Sequence, residues 1–98
     1  MMRNKMIMKY RSEFDIKADL IRTAMNSTKP LTQYRLAVIT GVYYITIRPY
    51  ITALIVEGLL TVTNNSLYVP TETGIRFELI FDKLRQMTTG LFPSTSNW

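Results

Sequence analysis

The sequence predicts a mainly α-helical fold with one small β-hairpin, in the order helix, helix, helix, hairpin, helix. Apolar residues recur at helical spacing in segments 12–25, 32–57 and 72–88. Two short segments rich in β-branched and aromatic residues flank Asn64-Asn65, which is typical of a hairpin. A chain of 98 residues with 47% hydrophobic content is suited to one domain with one core.

Composition narrows the possible functions. The chain has no Cys and no His, which excludes disulfides, the usual transition-metal sites and the commonest general base. With no paired carboxylates or phosphate-binding loop, we expect no enzymatic activity, no metal and no cofactor. A net charge of +5 favours a polyanionic partner, either nucleic acid or an anionic membrane surface, although ordinary solubility also accounts for it.

We expect one domain over residues 11–89, between two short terminal segments. Residues 1–10 form a predicted basic arm containing Arg3, Lys5 and Lys9, and residues 90–98 form a predicted flexible tail. No apolar run approaches the length of a membrane span, and the N-terminus lacks the apolar core of a signal peptide. We therefore expect a cytoplasmic protein.

The first helix is predicted over 12–25. Ser12 is suited to cap it, with Asp15 answering as in a weak capping box. Its apolar stripe predicts the buried face: Ile16, Leu20, Ile21 and Ala24. After a loop, Leu31 is a candidate for a single strand contact.

The second and third helices are predicted to meet at a tight turn. Thr32 caps helix 2, whose predicted apolar positions are Leu36, Val38 and Ile39, with Tyr34 or Ala37 beside them, and Thr40-Gly41 ends it. Helix 3 would run from Tyr43 or Tyr44 to Glu57-Gly58. Its spacing predicts an inner face of Ile47, Ile51, Leu54 and Ile55, and an outward face of Ile45, Pro49, Thr52 and Val56. Local preference leaves a strand open as an alternative, because 42–47 is rich in β-formers and Pro49 would interrupt the helix.

The hairpin is predicted from strands 59–63 and 66–69, with Asn64-Asn65 as a two-residue turn in which Asn accepts a positive φ. It contains no Lys or Arg. Thr71 then caps a fourth helix, about 72–89, whose apolar residues are more than one stripe can bury. Exposed apolar patches usually mark partners, so we expect a homodimer through Phe77, Ile80, Phe81, Leu84 and Met87. The alternative is that the helix buries them all within its own domain.

Residues 11–88 contain three groups of residues that together resemble a known family. The first group is Arg11-Ser12, Asp15-Ile16 and 18–21; the second is Thr40-Gly41-Val42, Thr46-Ile47-Arg48, Tyr50-Ile51, Leu54 and 57–60; the third is Tyr68, 71–74 and Phe77. In this order they resemble the winged helix-turn-helix DNA-binding proteins, in particular the small transcriptional regulators of archaea and archaeal viruses. The resemblance implies that helix 3 is indeed helical and reads DNA, and that the protein acts as a homodimer, in the host cytoplasm if it is viral. Tyr43 at the cap, Pro49 and the uncharged hairpin depart from the family pattern.

The expected partner is therefore double-stranded DNA. The candidate DNA-binding residues are Tyr43, Tyr44, Ile45, Thr46, Arg48, Thr52, Arg35, Lys29, Asn64 and Asn65. Arg48 is the best candidate for base or phosphate contact, because a guanidinium can pair with either. The alternative is a protein-interaction module that binds its partner through the apolar outward face of helix 3.

Overall fold

In the computed structural model, residues 11–91 are described and form four helices and one two-stranded antiparallel hairpin. The elements are α1 (Glu13–Asn26), α2 (Gln33–Thr40), α3 (Tyr44–Val56), β1 (Leu60–Val62), β2 (Tyr68–Pro70) and α4 (Glu72–Leu91). The predicted mainly helical fold with a small hairpin is confirmed. The basic arm lies outside the described residues, as do residues 92–98, and Gly90 and Leu91 belong to α4 rather than to a tail.

Helix α1 begins with a complete capping box. The Asp15 amide donates to Ser12 Oγ at 3.1 Å, and the Ser12 amide donates to Asp15 Oδ2 at 3.1 Å. These bonds satisfy two amides that the first helical turn leaves without partners. The predicted cap is confirmed, and it fixes the start of the helix that contributes Leu20 and Ile21 to the core.

The turn between α2 and α3 is sharp and is built on Gly41. This residue adopts φ +76, and its amide donates to the Ala37 carbonyl at 2.9 Å. Glycine adopts this left-handed conformation at little cost, because it has no Cβ. The chain direction changes by 110° between α2 and α3.

Segment 44–56 is helical, so the strand alternative is wrong. Ile47, Ile51 and Leu54 are buried as predicted, and burial of this spacing outweighs the local β preference. Pro49 lies inside the helix, and both Pro49 and Ile45 are exposed. Because proline has no amide hydrogen, the Ile45 carbonyl loses its intrahelical partner. That carbonyl therefore lies on the solvent side of α3.

The prediction for α2 was partly wrong. Leu36 is fully buried, but Val38 is 55% exposed and Ile39 is 53% exposed, while Ala37 is buried in their place. Helix α2 has eight residues, and α1 and α3 cover only the side of it that contains Leu36 and Ala37.

The hairpin pairs Thr61 with Val69, and its second strand also bridges to Leu31. The predicted single strand contact at Leu31 is thus confirmed. The predicted two-residue asparagine turn is wrong, because the positive φ belongs to Ser66 and the loop has three residues, 64–66. Thr63 determines this shape: its carbonyl accepts from the Ser66 amide at 3.0 Å, and its Oγ1 accepts from the Leu67 amide at 3.2 Å.

The core is shared by the first three helices and β1. Its fully buried side chains are Leu20, Ile21, Leu36, Ile47, Leu54 and Leu60. Helix α4, capped by Thr71 as predicted, rests on this core through Phe77 and the buried Gly74. A Cβ at position 74 would collide with the Leu59 carbonyl, so this glycine permits close approach of α4 to the segment before β1.

Within residues 11–91, no helix taken singly has both the length and the apolar content that a bilayer crossing requires. Helices α2 and α3 reach that limit only when counted together, across their 110° bend.

Candidate nucleic-acid interface

The outward face of α3 is an exposed row of four residues opposite the core. Ile45 is 85% exposed and Val56 is 80% exposed, with Pro49 and Thr52 exposed between them. The row follows from helical geometry, because Ile47, Ile51 and Leu54 occupy the buried side. The structure therefore agrees with the predicted inner and outward faces of this helix.

All ten predicted DNA-binding residues are exposed. Six lie on or just before α3 (Tyr43, Tyr44, Ile45, Thr46, Arg48, Thr52), Arg35 lies on α2, Lys29 lies in the loop before it, and Asn64 and Asn65 lie in the hairpin loop. The bridge from Leu31 to Tyr68 ties the loop of Lys29 to the strand that follows the two asparagines. The packing of α2 against α3 places Arg35 on the helix adjoining α3.

The charges around α3 are unbalanced. No Asp or Glu occurs between Asp19 and Glu57, whereas this segment contains Arg22, Lys29, Arg35 and Arg48. Among the residues that the structure describes, Lys29, Arg35 and Arg48 form no ion pair and no side-chain hydrogen bond. Three unneutralised cations within residues 20–56 make this segment a source of positive potential. The sequence already contains this signal, as a gap in acidic residues from position 20 to position 56.

Five of the six acidic residues of α1 and α4 form ion pairs, and the sixth, Asp15, accepts hydrogen bonds from Ser12 in the capping box. Arg22 Nε donates to Glu78 Oε2 at 2.7 Å, and its Nη1 donates to Asp19 Oδ1 at 3.0 Å. Burial lowers the pKa of the Arg22 guanidinium, but Glu78 and Asp19 outweigh burial and raise it. Glu78 itself is only 3% exposed, a burial that the helical pattern of α4 did not predict.

Lys17 and Arg11 likewise have structural partners. Lys17 Nζ lies 2.8 Å from Glu57 Oε2 and 3.2 Å from Glu13 Oε2. The hydrogen bond to Glu57 raises the pKa of Lys17 despite its burial. Arg11 Nη1 donates to Asp19 at 2.8 Å and to the Thr40 carbonyl at 3.0 Å, which ties α1 to the end of α2. These cations are held within the fold, unlike those around α3.

A shallow apolar pocket lies beside the start of α3. It has a volume of about 350 Å³ and is lined by Tyr34, Ala37, Val38, Gly41, Val42, Tyr43 and Tyr44. The Tyr34 and Tyr44 rings are 6.4 Å apart between centroids. Of the two residues expected beside the apolar positions of helix 2, Ala37 is buried, whereas Tyr34 is 63% exposed and belongs to this surface. Tyr43 makes no side-chain cap bond, so the predicted departure at the cap is present in the structure.

The exposed face of α4 defines a second surface, which we call the α4 stripe: Ile80, Leu84 and Met87. These side chains are 61%, 55% and 56% exposed, respectively. Phe77 and Phe81, the other two predicted dimer residues, are partly buried, and their rings stack at 6.2 Å. Every residue from 83 to 88 is exposed, so the second half of α4 extends beyond the core.

Comparison with known proteins leaves the family open: no protein-family model and no curated protein matches this chain.

Proposed function

We propose that the protein is a winged helix-turn-helix regulator of transcription that binds duplex DNA as a homodimer, with α3 in the major groove. The observation that most strongly supports it is the exposed outward face of α3 among cations that have no acidic partner within residues 11–91. DNA supplies the missing negative charge, and neutralised phosphates release counterions.

The geometry of α2 and α3 supports the same proposal. Helix-turn-helix motifs join two helices at about 90–120° through a short turn that often contains glycine. Here the bend is 110°, and the turn consists of residues 41–43 with left-handed Gly41. In that motif the second helix enters the groove with its first residues toward the bases. Ile45, Arg48 and Pro49 occupy that end of α3.

Each polar group then has a defined role. Arg48 pairs with a guanine edge or grips a phosphate, and Thr46 and Thr52 bond to bases or phosphates. Tyr43 and Tyr44 contact the backbone at the start of the helix. Lys29 and Arg35 neutralise flanking phosphates. The hairpin, which acts as the wing, contributes only uncharged contacts from Asn64 and Asn65, because segment 58–71 contains no charged residue.

The dimer is proposed to form through α4. A helix that extends beyond its own core is marginal in water unless another surface covers its apolar face. The α4 stripe supplies such a face, and Phe77 and Phe81 extend it toward the core. Pairing of two copies would double the number of cations facing DNA and place two recognition helices about one DNA turn apart.

The test is binding to random-sequence duplex DNA across a salt series, for the wild type and Arg48→Ala. We expect weaker binding by Arg48→Ala and, if Arg48 grips a phosphate, a salt slope reduced by about one, because one fewer phosphate is neutralised. The matched control is Arg76→Ala, which removes an exposed arginine of α4 that pairs with Glu72. An equal loss in both variants would mean that only net charge matters, and absence of binding at low salt would overturn the proposal.

One observation favours a second candidate, a protein-interaction module. Ile45, Pro49 and Val56 make most of the outward face of α3 apolar, and the hairpin is uncharged. An apolar helix face is suited to a groove on another protein. This candidate takes precedence if the salt series detects no DNA binding.

A further inference from the structure

The chemistry of the α3 face specifies the kind of DNA that it fits. We infer that the outward row of α3 recognises thymine methyl groups, so that the protein prefers A·T-rich duplexes through their major groove. This inference rests on the proposed function and adds the class of target sequence to it.

The row is long enough to meet several bases. Ile45, Pro49, Thr52 and Val56 recur at intervals of four, three and four residues along one side of α3. At about 1.5 Å per residue they span about 17 Å, or roughly five base-pair steps of about 3.4 Å. All four are exposed, so no other part of residues 11–91 covers them.

The row has almost no groups that can read a polar base edge. Ile45, Pro49 and Val56 have apolar side chains, and Thr52 has one hydroxyl beside a methyl group. The thymine C5-methyl is the apolar group that base pairs display in the major groove. Every base pair also displays polar groups there, but an A·T pair adds this methyl group, whereas a G·C pair offers the apolar row only donors and acceptors that it cannot satisfy.

Arg48 does not alter this preference along most of the helix. It lies on the flank of the row, where a single guanidinium can grip a phosphate or read one guanine. Three of the four residues in the row are apolar, so contact with methyl groups dominates the choice of sequence.

The experiment measures binding of three duplexes of about 24 base pairs, roughly two helical turns, by fluorescence anisotropy. The first is alternating A·T, the second replaces every thymine by uracil, and the third is alternating G·C. Uracil keeps the polar edge of thymine and removes only its methyl group. We expect the uracil duplex to bind at least about tenfold more weakly, since each buried methyl group contributes about fourfold.

Two further measurements separate methyl contact from DNA shape. Replacing cytosine by 5-methylcytosine in the G·C duplex restores a methyl group at the same groove position, and we expect it to strengthen binding. Ile45→Ala should reduce the difference between thymine and uracil, and it should leave the fold intact because Ile45 is 85% exposed. Phe14→Ala is the control, since it removes a side chain 61% exposed on α1, and it should change neither affinity.

The outcomes distinguish the two proposals. Equal binding of the thymine and uracil duplexes, or tighter binding of G·C, would overturn the methyl inference and leave DNA binding intact. Binding to none of the duplexes at low salt would overturn the proposed function itself, and the inference with it.

Discussion

Helices α3 and α4 both expose apolar side chains to solvent, but α3 lies in a basic segment and α4 in a segment of balanced charge. Ile45 and Val56 on α3 lie in a segment, residues 20–56, with four basic residues and none acidic. The α4 stripe lies in a segment, residues 72–88, with three acidic and three basic residues. In α4 the charges pair locally, as Arg76 with Glu72 and Arg85 with Asp82.

This difference in charge distinguishes the partner proposed for α3 from the partner proposed for α4. Exposed apolar side chains alone would not distinguish them. An apolar face with balanced charge is suited to a second copy of itself, because a symmetric interface brings identical patches together and like charges would repel. An apolar face among unpaired cations is suited to a polyanion that also offers apolar groups. The arrangement therefore favours self-association through α4 and DNA through α3.

The largest expected effect comes from Leu84→Glu, which breaks the proposed role of α4. In a two-fold dimer the change places two carboxylates in an apolar interface, which costs on the order of 5 kcal/mol of association free energy. Sedimentation should then report a monomer at concentrations where the wild type is dimeric. The monomer should still fold, because Leu84 is 55% exposed.

Gln86→Glu is the control for this experiment, because it adds the same charge at an exposed position outside the α4 stripe. It should leave the dimer intact. A wild type that stays monomeric at high concentration would rule out pairing through α4.

Gly74→Ala tests how α4 is anchored, and we expect the next largest effect. The added Cβ collides with the Leu59 carbonyl, a backbone atom that cannot move aside alone. Overpacking of this kind should lower the free energy of unfolding by about 3 kcal/mol, measured by urea denaturation. Thr73→Ala in the same turn is exposed and should change it by less than about 0.5 kcal/mol. Equal stability of both variants would show that α4 does not approach the core this closely.

Glu78→Gln has the smallest of the three effects and tests the buried ion pair. The Glu78 side chain is 4% exposed and its Arg22 partner is 31% exposed, so solvent screens part of the interaction. We expect a loss of about 1–2 kcal/mol in the free energy of unfolding.

Glu72→Gln is the matched control for Glu78→Gln. It also removes one negative charge from α4, but its side chain is 80% exposed, so the loss should stay below about 0.5 kcal/mol. If the two substitutions cost the same, the buried pair contributes no more than a surface pair. The electrostatic difference between α4 and α3 would then rest on the α3 face alone.

Much of the architecture was predictable because its signals are local. The side chains of Ser12, Thr32 and Thr71 each accept a hydrogen bond from a backbone amide a few residues away. Gly41 ends α2 because its own backbone adopts the left-handed conformation. The outward face of α3 was also predictable, since helical spacing places Ile45, Pro49, Thr52 and Val56 opposite the buried residues of the helix.

The errors have two sources: exposure that depends on which other element packs against a helix, and one local turn in which hydrogen bonds outweigh residue preference. Exposure of Val38 and Ile39 follows from which side of α2 meets α1 and α3, which apolar content does not reveal. The hairpin loop depends on bonds to Thr63 rather than on the preferences of Asn64 and Asn65. The choice between Tyr34 and Ala37 beside the apolar positions of α2 was likewise open, because it depends on Tyr44 of the next helix, whose ring lies against Tyr34 at the surface.

The sequence by itself determined the order of the elements, their caps, the inner face of α3 and the gap in acidic residues around it. These features depend on neighbours within a turn or two, where spacing and side-chain chemistry are sufficient. Only the tertiary structure decided that Lys17 and Glu78 are buried, that Gly74 lies against Leu59, and that Arg48 has no acidic partner among residues 11–91. Each depends on residues many positions away in the chain, because burial and ion pairing are set by what another element places opposite a side chain.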